Sequence, residues 1–127
     1  MVAVSALQKS PAPEAAAVLG KAVTRAAERL GLSRAALARI LGVSAATVSR
    51  LCAGNYRLDE QRKEWEFALL LVRVFRSLDS IVGSEPSARA WLNSDNRGLG
   101  ARPADLLQHT EGLVRVVHYL DAARGRV

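Results

Sequence analysis

Aromatic residues are scarce in this chain: two Trp, two Tyr and two Phe among 127 residues. A core must come from Ala, Leu and Val, because half of the residues are hydrophobic. Ala and Leu are strong helix formers, and alternating β-branched runs are missing, so an all-α fold is expected rather than a sheet. The single cysteine, Cys52, excludes an internal disulfide and gives no pointer to an oxidising compartment. Its place beside Leu51 predicts a small buried hydrophobe. Histidine is rare too: His109 and His118 are nine residues apart, whereas a metal pair on one helix turn needs three or four. The glycines at 98 and 100 belong to no phosphate loop, and there is no serine elbow. No enzyme activity, cofactor or metal is therefore expected. The longest apolar run, Phe67 to Val72, stops at Arg73 and is too short for a bilayer. The N-terminus has neither a basic start nor a long apolar stretch, so no signal peptide and a cytoplasmic location are expected.

Acidic charge is the next shortage, and it is uneven. Residues 1–64 carry ten Lys and Arg against five acids, and residues 65–127 carry eight against seven. The first half is the basic one. A polyanion is attracted to such a face through counterion release.

That half contains the stretch Ser33 to Gly54, SRAALARILGVSAATVSRLCAG. Ser33 can cap a helix running through Leu41, and Ser44 a second running through Ala53. Gly42 sits between them, where a left-handed turn residue costs least. Leu37, Ala38 and Leu41 fall on one face of the first helix, Val48 and Leu51 on one face of the second, and Val43 fills the corner. Ala38 is small enough for a close crossing. This is the helix-turn-helix pattern, whose second helix enters the DNA major groove. The residues facing out of that helix are Ser44, Ala45, Thr47, Ser49 and Arg50. Arg50 is the base-reading candidate, since a guanidinium matches guanine O6 and N7. Ser33, Arg34 and Arg39 stand where the first helix would cross the phosphate backbone, with Asn55 and Arg57 in the following loop.

The rest of the chain reads as more helix. Residues 1–14, with Pro11 and Pro13, read as a flexible tail. Ala15 to Leu30 has an apolar stripe of Val18, Leu19, Ala22, Val23, Ala26, Ala27 and Leu30. A helix from about Glu60 to Val82, capped by Asp59, carries Trp65, Ala68, Leu69, Val72, Phe75 and Val82 as one stripe. Phe67, Leu70, Leu71, Val74, Leu78 and Ile81 cover much of its remainder. A helix apolar nearly all round must be buried on more than one side, in a compact monomer or against a second copy in a homodimer. Ser84, Glu85 and Pro86 start another helix, a short one begins at Pro103, and Thr110 caps the last. Residues 124–127 read as a basic end.

The C-terminal stretch has a recognisable order: Ala90-Trp91-Leu92, then Leu99-Gly100, then Arg102-Pro103-Ala104-Asp105-Leu106-Leu107. Thr110-Glu111-Gly112-Leu113 and Val116-Val117 follow. Together these residues resemble the toxin-binding domain of Xre–MbcA–ParS type antitoxins, over roughly Ile81 to Leu120, with the Xre-like helix-turn-helix preceding it in the family's order. The loop Asn93-Ser94-Asp95-Asn96 departs from relatives that often have a proline before the Asn.

The resemblance implies a division into a tail at 1–14, an Xre-like helix-turn-helix domain at 15–80 and a toxin-binding domain at 81–127. It implies an antitoxin of a type II toxin–antitoxin system. Such a protein binds a RES-domain toxin that degrades NAD, covers its active site, and represses its own operon at double-stranded operator DNA. A homodimer, and a higher hetero-oligomer with toxin, would follow. For the toxin contact, Arg124, Arg126 and the carboxylate of Val127 fall on an end suited to insertion, and Arg115, Tyr119 and Asp121 on the outer face of the last helix. Two other readings remain open: a stand-alone phage-type or metabolic repressor whose C-terminal half only dimerises, and an interaction module whose helix-turn-helix no longer binds DNA.

Overall fold

The computed structural model describes residues 11–125. Most of the expected tail, together with Arg126 and Val127, lies outside the described residues. The chain is all-α, in the order α1 (Pro11–Arg29), α2 (Arg34–Leu41), α3 (Ala45–Cys52), α4 (Lys63–Val82), α5 (Glu85–Leu92), α6 (Pro103–Leu106) and α7 (Thr110–Gly125). An isolated bridge between Asn96 and Ala101 is the one strand-like pairing among the described residues.

α4 is the axis on which four of the other helices pack. It touches α1 and α2 from the first half, and α5 and α7 from the second. One continuous apolar core results. It joins Val23, Leu30, Leu37, Leu41 and Val48 to Leu71, Leu78, Leu92, Leu107, Leu113 and Leu120. Each fully buried Leu or Val contributes about 1.5–3 kcal/mol relative to an exposed one, so α4 holds both halves by burying such residues against each.

Several local expectations are corrected by tertiary packing. α1 begins at Pro11 rather than Ala15, because proline's missing N–H does no harm in a first turn. Val18, assigned to the α1 stripe, is 67% exposed, because the neighbours of α1 cover only the face through Leu19, Val23, Ala26, Ala27 and Leu30. α4 starts at Lys63, and Asp59 does not cap it. The Asp59 carboxylate instead accepts from the Gln61 N–H at 2.9 Å, closing a turn before the helix. The buried face of α4 is not the stripe read from spacing: Ala68, Leu71, Val72, Val74 and Leu78 are buried with Glu64 and Ser77, whereas Leu69 and Ile81 are exposed. Neighbours on two sides set a broad inward sector drawn from both apolar sets. Thr110 is the first residue of α7 rather than its cap. Cys52 is exposed, because the inner face of α3 is supplied by Val48 and Leu51.

Candidate functional site

The geometry of the first half follows from its caps. Ser33 Oγ accepts from the Ala36 N–H at 3.0 Å and starts α2. Gly42 ends it at φ 72°, a left-handed conformation, and its N–H donates to the Ala38 carbonyl at 2.9 Å. Ser44 Oγ accepts from the Thr47 N–H at 3.0 Å and starts α3. The chain bends by 108° between α2 and α3, within the range of a DNA-binding helix-turn-helix.

α3 buries Val48 and Leu51 and turns a polar line outward. Ser44 Oγ and Thr47 Oγ1 are 2.9 Å apart, and Arg50 Nη2 donates to Thr47 Oγ1 at 3.2 Å. The three side chains thus form one hydrogen-bonded row along the exposed face, with Ala45 and Ser49 also exposed. Hydroxyls can donate to or accept from base edges and phosphates, and a guanidinium held at their end is pre-oriented for bidentate contact. Arg34 is exposed at the start of α2. Arg39, also exposed, is drawn elsewhere: its Nε donates to Gln108 Oε1, in the turn between α6 and α7. Gln108 Nε2 in turn donates to the Ala104 carbonyl at 3.3 Å.

Asn55 and Arg57 lie in the loop after α3, and the anchor of that loop is a residue the sequence reading did not single out. Glu64, buried in the first turn of α4, accepts from Tyr56 Oη at 2.7 Å and from the Asp59 N–H at 3.0 Å, with Arg62 Nε 3.9 Å away. The hydrogen bond to Glu64 holds the Tyr56 hydroxyl above its ordinary pKa, with burial and the carboxylate's charge acting in the same sense. A buried carboxylate is tolerable only with such partners. Nothing in the spacing of Tyr56 and Glu64 signals the pair, because they meet across a loop.

In the second half, the Trp91 and Tyr119 rings stack at 6.2 Å between centroids. The Tyr119 ring lies over Gly98, where an added Cβ would stand 2.7 Å from its Cε1. The loop between α5 and α6 is closed by its own bonds: the Leu99 N–H donates to Asn96 Oδ1 at 3.0 Å, and the Gly100 N–H to the Asn96 carbonyl at 2.8 Å. Arg115 Nη2 donates to the Leu99 carbonyl at 2.7 Å and ties α7 to that loop. Asp121 pairs with Arg73 of α4. Arg124 is not on a free end: α7 runs through it to Gly125, and its Nη1 donates to buried Ser77 Oγ at 2.9 Å. Of the described residues assigned to the toxin, Tyr119 alone offers a broad exposed ring, while Arg115, Asp121 and Arg124 hold the domain together. Arg102 binds Asp105 at 2.7 and 3.1 Å, and that bond holds the Asp105 carboxyl below its usual range.

Among the described residues, no three His, Cys, Asp or Glu side chains converge as a metal site. No single described helix is long and apolar enough to cross a membrane.

Two family models match consecutive parts of the chain. Residues 11–73 match the antitoxin Xre-like helix-turn-helix domain, and residues 77–126 the antitoxin Xre/MbcA/ParS C-terminal toxin-binding domain. The chain belongs to the Xre/MbcA/ParS antitoxin family. Among solved structures, this antitoxin is similar to a chain of the MbcT–MbcA toxin–antitoxin complex of M. tuberculosis, with 32% identity and a TM-score of 0.64. The similarity covers 87% of this antitoxin and 97% of that chain. No protein of curated function matches it. The antitoxin is thus a member of a toxin–antitoxin system with a toxin-binding domain, and its family is one of regulators rather than enzymes.

Proposed function

We propose that the antitoxin has two working faces, one for its own promoter and one for a RES-domain toxin that degrades NAD. Its place of work is the cytoplasm. The similarity to a chain solved in a toxin–antitoxin complex, over 97% of that chain, carries the toxin half of this reading. It also favours an antitoxin over a stand-alone repressor, whose C-terminal half would need no toxin-binding pattern.

On the DNA side, Arg50 reads a base edge, while Ser44, Ala45, Thr47 and Ser49 line the major groove around it. Ser33, Arg34, Arg39, Asn55 and Arg57 hold phosphates and set the register. The hydrogen-bonded row Ser44–Thr47–Arg50 supports this assignment. Leu69 and Ile81, the exposed large apolar side chains of α4, are where a dimer formed through that helix would meet. A dimer would call for an operator with two-fold symmetry. On the toxin side, Tyr119 provides the flat anchor, and Arg126 and Val127, which follow Gly125 in the sequence, reach the active site. Arg115 and Asp121 keep α7 in place for that contact.

Two experiments test the reading. Co-expression with the adjacent reading frame should yield a stable complex in which the neighbour's NAD-degrading activity is silent. A gel shift on the upstream promoter, repeated at two salt concentrations, should show specific binding that weakens as salt rises. If the neighbour does not bind, or touches only residues before Asp59, the toxin assignment is wrong. If the promoter is not shifted, the repressor assignment is wrong.

A further inference from the structure

A cleft of about 590 Å3 lies between α1 and the helix-turn-helix, lined by Lys21, Thr24, Arg25, Glu28, Ser33 and Arg34 among others. A second groove of about 270 Å3 continues from it past Lys21 and Thr24 to Gly54 and Arg57. The two share Lys21, Thr24 and Cys52, so they form one strip along α1. At one end stand Ser33 and Arg34, at the other Arg57, all already assigned to DNA phosphates. The middle is filled by Lys21 and Arg25, four residues apart and therefore one above the other on the same helix face. Both are exposed, and among the described residues neither they nor Arg34 forms an ion pair. Glu28 is the one carboxylate in the cleft, against three cations. The Thr24 hydroxyl is taken up by the Gly20 and Lys21 carbonyls, so cations rather than hydroxyls define the chemistry.

We propose that this strip is a second phosphodiester-binding site, in which Lys21 and Arg25 hold the sugar–phosphate backbone of the duplex whose major groove α3 enters. The inference rests on the operator-binding reading and extends the footprint onto α1. Contacts of this kind position the duplex and carry no sequence information.

The test is the salt dependence of binding by the full chain, read by fluorescence anisotropy on the promoter duplex and on an unrelated duplex. Lys21→Gln with Arg25→Gln should flatten the slope of log K against log salt by about 1.8, at about 0.9 per lost phosphate contact. Affinity should fall by the same factor on both duplexes, roughly tenfold or more near 0.1 M salt. Both residues are exposed, and thermal melts of the double variant should match the parent. Charge reversal, Lys21→Glu, should weaken binding further. An unchanged slope in the double variant, with Arg50→Ala still weakening promoter binding, overturns the strip and leaves the operator reading intact. An unchanged duplex slope combined with pyrophosphate binding that depends on Lys21 and Arg25 also overturns it, assigning the cleft to a small anion. No binding of the parent chain to any duplex overturns both.

Discussion

Tyr56 Oη donates to Glu64 Oε2 at 2.7 Å, and this bond fastens the loop after α3 to the first turn of α4. Hydrogen bonds to charged groups contribute about 1.5–3 kcal/mol. Tyr56→Phe should therefore lower the unfolding free energy by about that amount in urea titration, and Glu64→Ala by more, because it also orphans the Asp59 N–H. The pair has a pH signature. The folded pKa of Tyr56 lies above its ordinary value of 10.0. Its stabilisation is complete below that value and is lost as pH rises through the folded pKa, because the unfolded state releases the proton first. Tyr56→Phe should remove that part of the alkaline loss, as read by thermal melts above pH 9.

Gly112 of α7 lies directly against the carbonyl of Leu106. A Cβ at Gly112 would stand 2.1 Å from Leu106 O and 2.8 Å from its carbonyl carbon, so main chain would have to move. Gly112→Ala should cost at least the upper part of the ~1–3 kcal/mol typical of overpacking. Toxin binding should weaken with it. Gly125→Ala, with nothing within 4 Å of its Cβ, is the matched control and should be near neutral in the same denaturation assay.

Arg50 is held by Thr47, and its predicted role is base reading. Arg50→Ala should remove about 1–3 kcal/mol of discrimination between the promoter and an altered duplex. Binding to unrelated DNA should change much less. A uniform loss on every duplex would assign Arg50 to phosphate instead.

Arg39 spends its guanidinium on Gln108, across from the first half to the second. Gln108→Ala should release it. If Arg39 serves a phosphate, duplex affinity should rise by about two- to fivefold, corresponding to the ~0.5–1 kcal/mol of an exposed charged contact. Arg39→Ala in that background should cancel the gain, as measured by the same anisotropy titration.

Much of the helix-turn-helix is legible in the sequence alone. Ser33 and Ser44 cap within three residues, and Gly42 takes the positive φ its position demands. The family pattern from Trp91 to Val117 was legible for a similar reason, since it consists of fixed residues at short spacings. The outward positions of Ser49 and Arg50 on α3 also follow once Val48 and Leu51 are assigned inward, but Cys52 on the same helix does not. The Glu64 anchor was not legible, nor were the internal bonds of Arg115, Asp121 and Arg124, because their partners are distant in sequence.

The sequence by itself determined the helical class, the turn at Gly42, the caps and the family, because each depends on interactions within a few residues or on residue order. Tertiary structure decided which side of α4 is inside, that Cys52 and Val18 face outward, and which cations are occupied. Those outcomes depend on what packs beside a helix, and periodicity names a face without naming its neighbour.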